Sequence, residues 1–169
     1  MVHSIELLFD RDTEAALRSI WDELADAGTT ARTPAGRPHV TLAVADRIDA
    51  HVDGLLRPIV EGLPVRCSVG ASLLLGRSNA ILARLVVPTA ELLRLHAGVH
   101  RVCADYLLPE PMPNCLPGRW TPHVTLARRV GEPGLSQTLR IAGRPAQIDG
   151  SFGGLRRWDG DQRVEYQIG

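Results

Sequence analysis

Apolar and polar residues follow two different spacings along this chain, and these spacings predict its helices and strands. A helix is predicted where apolar residues recur at i, i+3, i+4 and i+7, as they do at Leu17, Ile20, Trp21 and Leu24. A strand is predicted where a short apolar run lies between turn-forming residues. The predicted strands are 4–9, 39–44, 65–75, 80–87, 120–127, 146–155 and 163–168, the predicted helices are about 10–27, 49–59, 89–104 and 134–141, and a turn at 76–79 and a proline-containing loop at 109–117 connect them.

A six-residue segment, Pro-His-Val-Thr-Leu-Ala, occurs twice in the chain, at 38–43 and at 122–127. Each copy is followed by a predicted helix and then by two predicted strands. An identical hexapeptide in the same context is hard to attribute to chance in a chain of 169 residues. We therefore predict a single domain over 1–169 with a bilobal α+β fold, whose two βα lobes are related by a pseudo-twofold axis.

Each hexapeptide contains an HxTx motif, formed by His39 and Thr41 in the first copy and by His123 and Thr125 in the second. Side chains at i and i+2 of a strand share a face, so each His and Thr point one way while the residues between them point into a core. If the two strands meet around the pseudo-twofold axis, two imidazoles and two hydroxyls face a central groove. A single histidine in an apolar strand more often serves packing, but two in identical hexapeptides favour a catalytic site.

This set of groups suits the hydrolysis or transfer of a phosphodiester. A neutral imidazole can take a proton from an attacking water or hydroxyl, and a protonated imidazole can donate one to the departing ribose oxygen. The threonine hydroxyls can hold the non-bridging phosphate oxygens. The pattern requires no metal or other cofactor, and it does not decide which histidine is the acid.

The two motifs, 84 residues apart, resemble those of the 2H phosphoesterase superfamily, and the chain looks like a member of its 2′-5′ RNA ligase-like (LigT-like) family over essentially its whole length. The resemblance implies a bilobal fold in which both motifs face a central groove. It also implies activities that open 2′,3′-cyclic phosphates and that cleave, or in reverse form, 2′-5′ linkages. In this family an arginine soon after the second motif approaches the phosphate, and it corresponds to Arg128. Strand alternation alone would choose Arg129, which shares the face of His123 unless a bulge intervenes, and we favour Arg128 on the resemblance.

The composition of the chain limits which substrates and which cellular compartment are expected. Basic and acidic residues balance at 19 each, whereas proteins that grip long nucleic acids usually carry a basic excess. A small nucleotide or an RNA end is therefore the expected substrate, with no obligate protein partner. Three cysteines without CxxC spacing argue against a disulfide framework or a structural zinc site. No signal peptide or membrane span is predicted, so we expect a cytoplasmic protein.

Five further residues each have two possible roles. Arg37 and Arg119 lie just before the motifs, where they could rim the groove or be solvated loop residues. Trp120 could stack on a base, although a buried anchor is favoured. His96 and His100 have a metal-binding i, i+4 spacing, but without a third ligand a solvated helix face is predicted.

Two other functions compete with the phosphoesterase. The same fold could bind RNA ends or ligate them reversibly, hydrolysis being incidental. It could also be a metal-dependent hydrolase built around the same histidines, which activity in EDTA would exclude.

Overall fold

The computed structural model describes residues 1–76 and 80–169. Within them it contains nine strands, four α-helices and two short 3₁₀ helices, at Ala104–Tyr106 and Pro113–Cys115. The strands are β1 His3–Phe9, β2 His39–Ala45, β3 Arg47–Ile48, β4 Val65–Leu75, β5 Ala80–Val86, β6 Leu107–Leu108, β7 His123–Val130, β8 Ile148–Asp159 and β9 Val164–Ile168, and the helices are α1 Arg11–Asp26, α2 Val52–Glu61, α3 Ala90–Cys103 and α4 Leu135–Ala142. The turn predicted at 76–79 lies mostly outside the described residues.

The main sheet pairs its strands in a closed circuit, β1-β2-β7-β5-β4-β8 and back to β1, with β9 added at β8. This circuit is unchanged when the two halves of the chain are exchanged, so that β1 replaces β5, β2 replaces β7 and β4 replaces β8. The helices obey the same exchange, because α1 packs against α4 and α3 packs against α2. The predicted α+β architecture with pseudo-twofold symmetry is therefore confirmed, although the two lobes share one sheet.

Helix starts follow local capping rules. Asp10 caps α1, because its carboxylate accepts hydrogen bonds from the backbone N–H groups of Asp12 and Thr13, at 3.0 and 2.9 Å. Thr89 caps α3 in the same way. The second helix begins at Val52, later than predicted, and continues through Pro58 to Glu61. None of the helices in the described ranges is long and apolar enough to cross a membrane.

The proline-containing loop before β7 is more ordered by hydrogen bonds than its composition predicts. Its residues Leu107 and Leu108 form β6, which pairs with β3, and Met112 donates its backbone N–H to the carbonyl of Val44 at 2.8 Å. These bonds give partners to backbone groups of the loop. They also fix the loop against the end of β2, so that the second motif strand starts from a defined position.

Candidate active site

The two HxTx motifs lie at the starts of β2 and β7, where residues alternate between two faces of the sheet. In β2, His39 and Thr41 are half-buried, whereas the residue between them is fully buried in the core. His123 and Thr125 repeat this pattern in β7. The alternation matches the prediction made from the strand period.

The two motif strands meet at one antiparallel pair among the described residues, Val40 with Val124. Paired residues of antiparallel strands point to the same face, so both valines enter the core together. The motif histidines and threonines therefore share the opposite face. Continuing the register places each histidine across from the threonine of the other motif.

Both motif imidazoles are oriented by a backbone carbonyl two residues earlier in the chain. Nδ1 of His39 lies 2.8 Å from the carbonyl oxygen of Arg37, and Nδ1 of His123 lies 2.7 Å from that of Thr121. Because a carbonyl oxygen only accepts, Nδ1 carries the proton in each ring. Nε2 is then the atom that can accept a proton when the ring is neutral and donate one when it is charged.

A buried ion pair lies beside His39 and was not predicted. Arg156 donates from Nε and Nη2 to Oε2 of Glu6, both at 2.7 Å, and Ser4 donates to Oε1 at 2.5 Å. Oε1 of Glu6 lies 3.5 Å from Nε2 of His39. A sequence signal for this group existed, since Glu6 is the one carboxylate in a largely apolar first strand.

The carboxylate distinguishes the two halves of the site. Glu6 is paired with Thr41 in the sheet, and the residue paired with Thr125 in the second half is Ala83. His123 therefore has no counterpart of Glu6 at this position. The repeat in the sequence could not show this difference, because it lies outside the repeated hexapeptides.

Two indoles hold the backbone of the motif threonines. Trp120 donates from Nε1 to the carbonyl of Thr41 at 2.9 Å, and Trp21 donates to the carbonyl of Thr125 at 3.2 Å. The ring of Trp120 stacks on His96 with centroids 3.9 Å apart and an interplanar angle of 2°. These contacts agree with the anchor role favoured from the sequence, although Trp120 is half-buried and also lines the cavity at His123.

The prediction that His96 and His100 form a solvated helix face is wrong. Both are buried in α3, and Nε2 of each lies close to the carbonyl oxygen of Leu42, at 3.1 and 3.0 Å. Nε2 of His96 also lies 2.8 Å from the carbonyl oxygen of Cys115. Burial, together with the neighbouring His100, lowers the pKa of His96 to about 4. His96 and His100 thus donate to backbone carbonyls of the motif strand and of the proline-containing loop. The apolar pattern of the helix does not reveal that these carbonyls need donors.

Two cavities flank the meeting point of the motif strands. The cavity at His39 has a volume of about 760 Å³ and is lined by Arg37 and Arg128, among others. The cavity at His123 has a volume of about 390 Å³ and is lined by Arg119. The structure therefore favours the groove-rim alternative for both arginines that precede the motifs.

A bulge interrupts β7 at the two arginines that follow the second motif. Between two paired positions β5 contributes one residue, whereas β7 contributes Arg128 and Arg129. Arg129 adopts a left-handed conformation with φ of 57°, so simple strand alternation fails here. Arg128 lines the cavity of His39, and its contact with the phosphate stays a prediction.

One group of potential metal ligands occurs among the described residues. His3, Asp159 and Asp161 place ligand atoms within 4.8 Å of one another. The group includes neither motif histidine, and its members already bond to one another. None of its three members lines either cavity beside the motif strands.

Comparisons with known proteins identify the family and the fold. The model of the 2′-5′ RNA ligase superfamily matches residues 10–161. Among solved structures, TT0787 of Thermus thermophilus is similar with a TM-score of 0.62 at 16% identity, covering 100% of this chain and 96% of that one. The MHV ns2 PDE domain has a TM-score of 0.59 at 17% identity, covering 99% of both chains. Usb1 of Kluyveromyces marxianus has a TM-score of 0.54 at 13% identity, covering 99% of this chain and 97% of that one.

No curated protein matches the chain. The structural similarities, at these identities, establish the fold alone. The family match is stronger, because it spans most of the chain and includes both repeated hexapeptides. It confirms the family predicted from the paired motifs: the chain belongs to the 2′-5′ RNA ligase superfamily of 2H phosphoesterases.

Proposed function

We propose that this chain is a metal-independent phosphoesterase acting on 2′,3′-cyclic phosphate ends of RNA or nucleotides, or on 2′-5′ linkages. His39 and His123 are its acid–base pair. The observation that carries the proposal is the meeting of β2 and β7, which gives both imidazoles and both threonines one common face. The names of two similar structures agree with it, since one is a PDE domain and another contains uridine monophosphate.

The reaction needs two proton transfers, and the site offers one imidazole for each. One neutral ring accepts a proton at Nε2 from a water, whose oxygen forms the new bond to phosphorus. The other ring, protonated, donates from Nε2 to the ribose oxygen as its bond to phosphorus breaks. The product keeps the phosphate on the remaining ribose oxygen, and exchange of protons with water restores both rings. Acid–base help of this kind contributes roughly 10²–10⁴-fold to the rate.

The phosphate itself is held by Thr41, Thr125 and Arg128. Each hydroxyl can donate to a non-bridging oxygen, and the guanidinium can donate to the developing negative charge. The indole bonds to the two threonine carbonyls fix the backbone from which these hydroxyls project. Such positioning matters because small displacements of the reacting groups reduce the rate strongly.

The test is a panel of substrates assayed in EDTA by analysis of the phosphate ends. It compares a 2′,3′-cyclic nucleotide, a cyclic-ended RNA and a 2′-5′ dinucleotide. We expect turnover by the wild type, a bell-shaped pH dependence, and a loss of about 10²-fold or more in His39→Ala and in His123→Ala. The double variant should lose little more than either single one, because groups that act together are not additive. His51→Ala, at an exposed histidine, is the matched control.

The alternatives give different results in the same panel. Binding of cyclic-ended RNA without turnover would favour an RNA-end binding protein, and joining of ends in excess over cleavage would favour a ligase. Activity that EDTA removes and added metal restores would favour the metal-dependent hydrolase. Full activity of either single histidine variant would refute the paired mechanism.

A further inference from the structure

The charge around the two motif histidines is unequal, although the chain as a whole is formally neutral. The cavity at His39 is lined by five arginines and two glutamates. In the cavity at His123, Arg119 is the single Arg, Lys, Asp or Glu among the described lining residues, which also include Leu75 and Val44. A positive cavity therefore lies on one side of the reacting position, and a cavity with fewer charged side chains lies on the other.

Two of the five arginines are held in place by one carboxylate. Arg37 donates from Nε and Nη2 to Oε2 of Glu14, at 3.1 and 2.7 Å, and Arg18 donates from Nε to Oε1 at 2.9 Å. Glu14 is mostly buried, whereas both guanidinium groups remain partly exposed. An arginine has five N–H donors, so each keeps donors for a ligand while its position is already fixed. One carboxylate against two guanidinium groups also leaves a net positive charge.

The other three arginines differ in availability. Arg156 is buried and committed to Glu6 and Glu165. Arg128 and Arg163 are exposed and form no ion pair in the described part of the chain. Arg128 is the residue expected at the reacting phosphate. If Arg128 contacts the reacting phosphate, then Arg163 and the two arginines bound to Glu14 remain available for another anionic group.

We propose that the cavity at His39 contains a subsite for a second phosphate of the substrate, formed by Arg18, Arg37 and Arg163. This inference rests on the proposed function and specifies its substrate class. The preferred substrate carries a phosphate on the 5′ oxygen of the nucleoside whose 2′,3′-cyclic phosphate reacts. A volume of about 760 Å³ is large enough for a ribose together with that phosphate. Guanidinium groups bind phosphate oxygens through charge-assisted, often bidentate hydrogen bonds.

Three substrates separate the possible sources of the second phosphate. They are a nucleoside 2′,3′-cyclic phosphate, its 5′-phosphorylated form, and a dinucleotide with a cyclic end and no terminal phosphate. We expect kcat/KM in EDTA to be at least tenfold higher for both substrates that carry the second phosphate, mainly through KM. A gain for the 5′-phosphorylated mononucleotide alone would assign the subsite to a terminal phosphate. A gain for the dinucleotide alone would assign it to an internal one.

Two variants and one control test the residues. Arg163→Gln and Arg18→Gln should each reduce the preference severalfold or more and leave the simple cyclic nucleotide unaffected. Arg119→Gln, on the His123 side, should leave the preference unchanged. Equal kcat/KM values for all three substrates in the wild type would overturn the inference while the proposed function stands. So would a preference that survives both arginine variants.

A binding measurement separates this inference from the proposed function. If none of the three substrates reacts, the proposed function fails, and calorimetry still tests the subsite with adenosine 3′,5′-bisphosphate against adenosine 3′-phosphate. We expect the wild type to bind the bisphosphate at least tenfold more tightly than adenosine 3′-phosphate. In Arg163→Gln this difference in affinity should be lost. Equal affinities of the two nucleotides would refute the second-phosphate subsite.

Discussion

The buried His96 should make the stability of the fold depend on pH in the acid range. Its Nε2–H lies between the carbonyl oxygens of Leu42 and Cys115, and its ring packs against Trp120 and His100. A second proton would put a charge into this apolar, desolvated position. The pKa of His96 therefore falls from 6.5 to about 4 on folding.

The sign and size of the effect follow from proton linkage. Because the folded pKa of His96 lies below the unfolded one, the unfolded chain binds more protons between pH 6.5 and 4. The contribution of His96 is thus fully present above pH 6.5 and is lost as the pH falls towards 4. The difference in pKa corresponds to about 3 kcal/mol in full, of which roughly 2 kcal/mol falls between pH 7 and pH 5.

Urea unfolding followed by tryptophan fluorescence measures this contribution. The free energy of unfolding is determined at pH 7 and pH 5 for the wild type and for His96→Gln, which keeps a donor but cannot be protonated. We expect the wild type to lose about 2 kcal/mol more than the variant over this interval. His51→Gln, at an exposed histidine, should behave like the wild type. An equal loss in the wild type and in His96→Gln would show that His96 is not held neutral by its surroundings.

Three further predictions concern substitutions in the site. Thr41→Val or Thr125→Val should leave the circular dichroism unchanged and lower kcat/KM. The expected loss of transition-state stabilisation is about 1.5–3 kcal/mol, the value of one hydrogen bond to a charged group. An unchanged kcat/KM would exclude that contact. Arg128→Ala should lower kcat/KM more than Arg129→Ala, and the reverse order would exclude Arg128 as the main contact of the phosphate. Glu6→Gln should lower the free energy of unfolding in urea by about 3 kcal/mol, because the buried guanidinium of Arg156 keeps its charge and loses the carboxylate that compensates it. A loss below about 0.5 kcal/mol would show that the exposed Glu165 suffices as the partner of Arg156.

Much of the fold was predictable because its signals are local. The strand period of the hexapeptides places Val40 and Val124 in the core, and the apolar spacing of α1 places Leu17 and Trp21 there. Capping at Asp10 is likewise decided within one turn of helix. The repeat added information of longer range, because two equal segments in equal contexts imply a symmetric pairing of strands.

The unpredicted features depend on contacts between segments far apart in sequence. His96 and His100 are polar, so their pattern predicts exposure, yet the carbonyl of Leu42 needs donors at this place in the core. Glu6 and Arg156 are 150 residues apart, and no local rule connects them. The bulge at Arg128 and Arg129 arises from how β7 pairs with β5, which the sequence of β7 alone does not contain.

Symmetry and its loss have separate consequences for the reaction. The symmetric part of the site would accept a substrate equally well in two opposite orientations. This part consists of the paired valines and the two imidazoles that bond to backbone carbonyls. The unequal charge removes this ambiguity, since one additional phosphate contact of about 1.5–3 kcal/mol favours one orientation by roughly tenfold to a hundredfold. With the 5′ phosphate on the His39 side, the ribose and its departing oxygen lie nearer His39, and the attacking water lies in line on the side of His123. We therefore expect His39 to act as the acid and His123 as the base. A cyclic phosphate whose departing oxygen is replaced by sulfur, which leaves without a proton, should restore activity to His39→Ala and not to His123→Ala, and the opposite result would reverse the orientation.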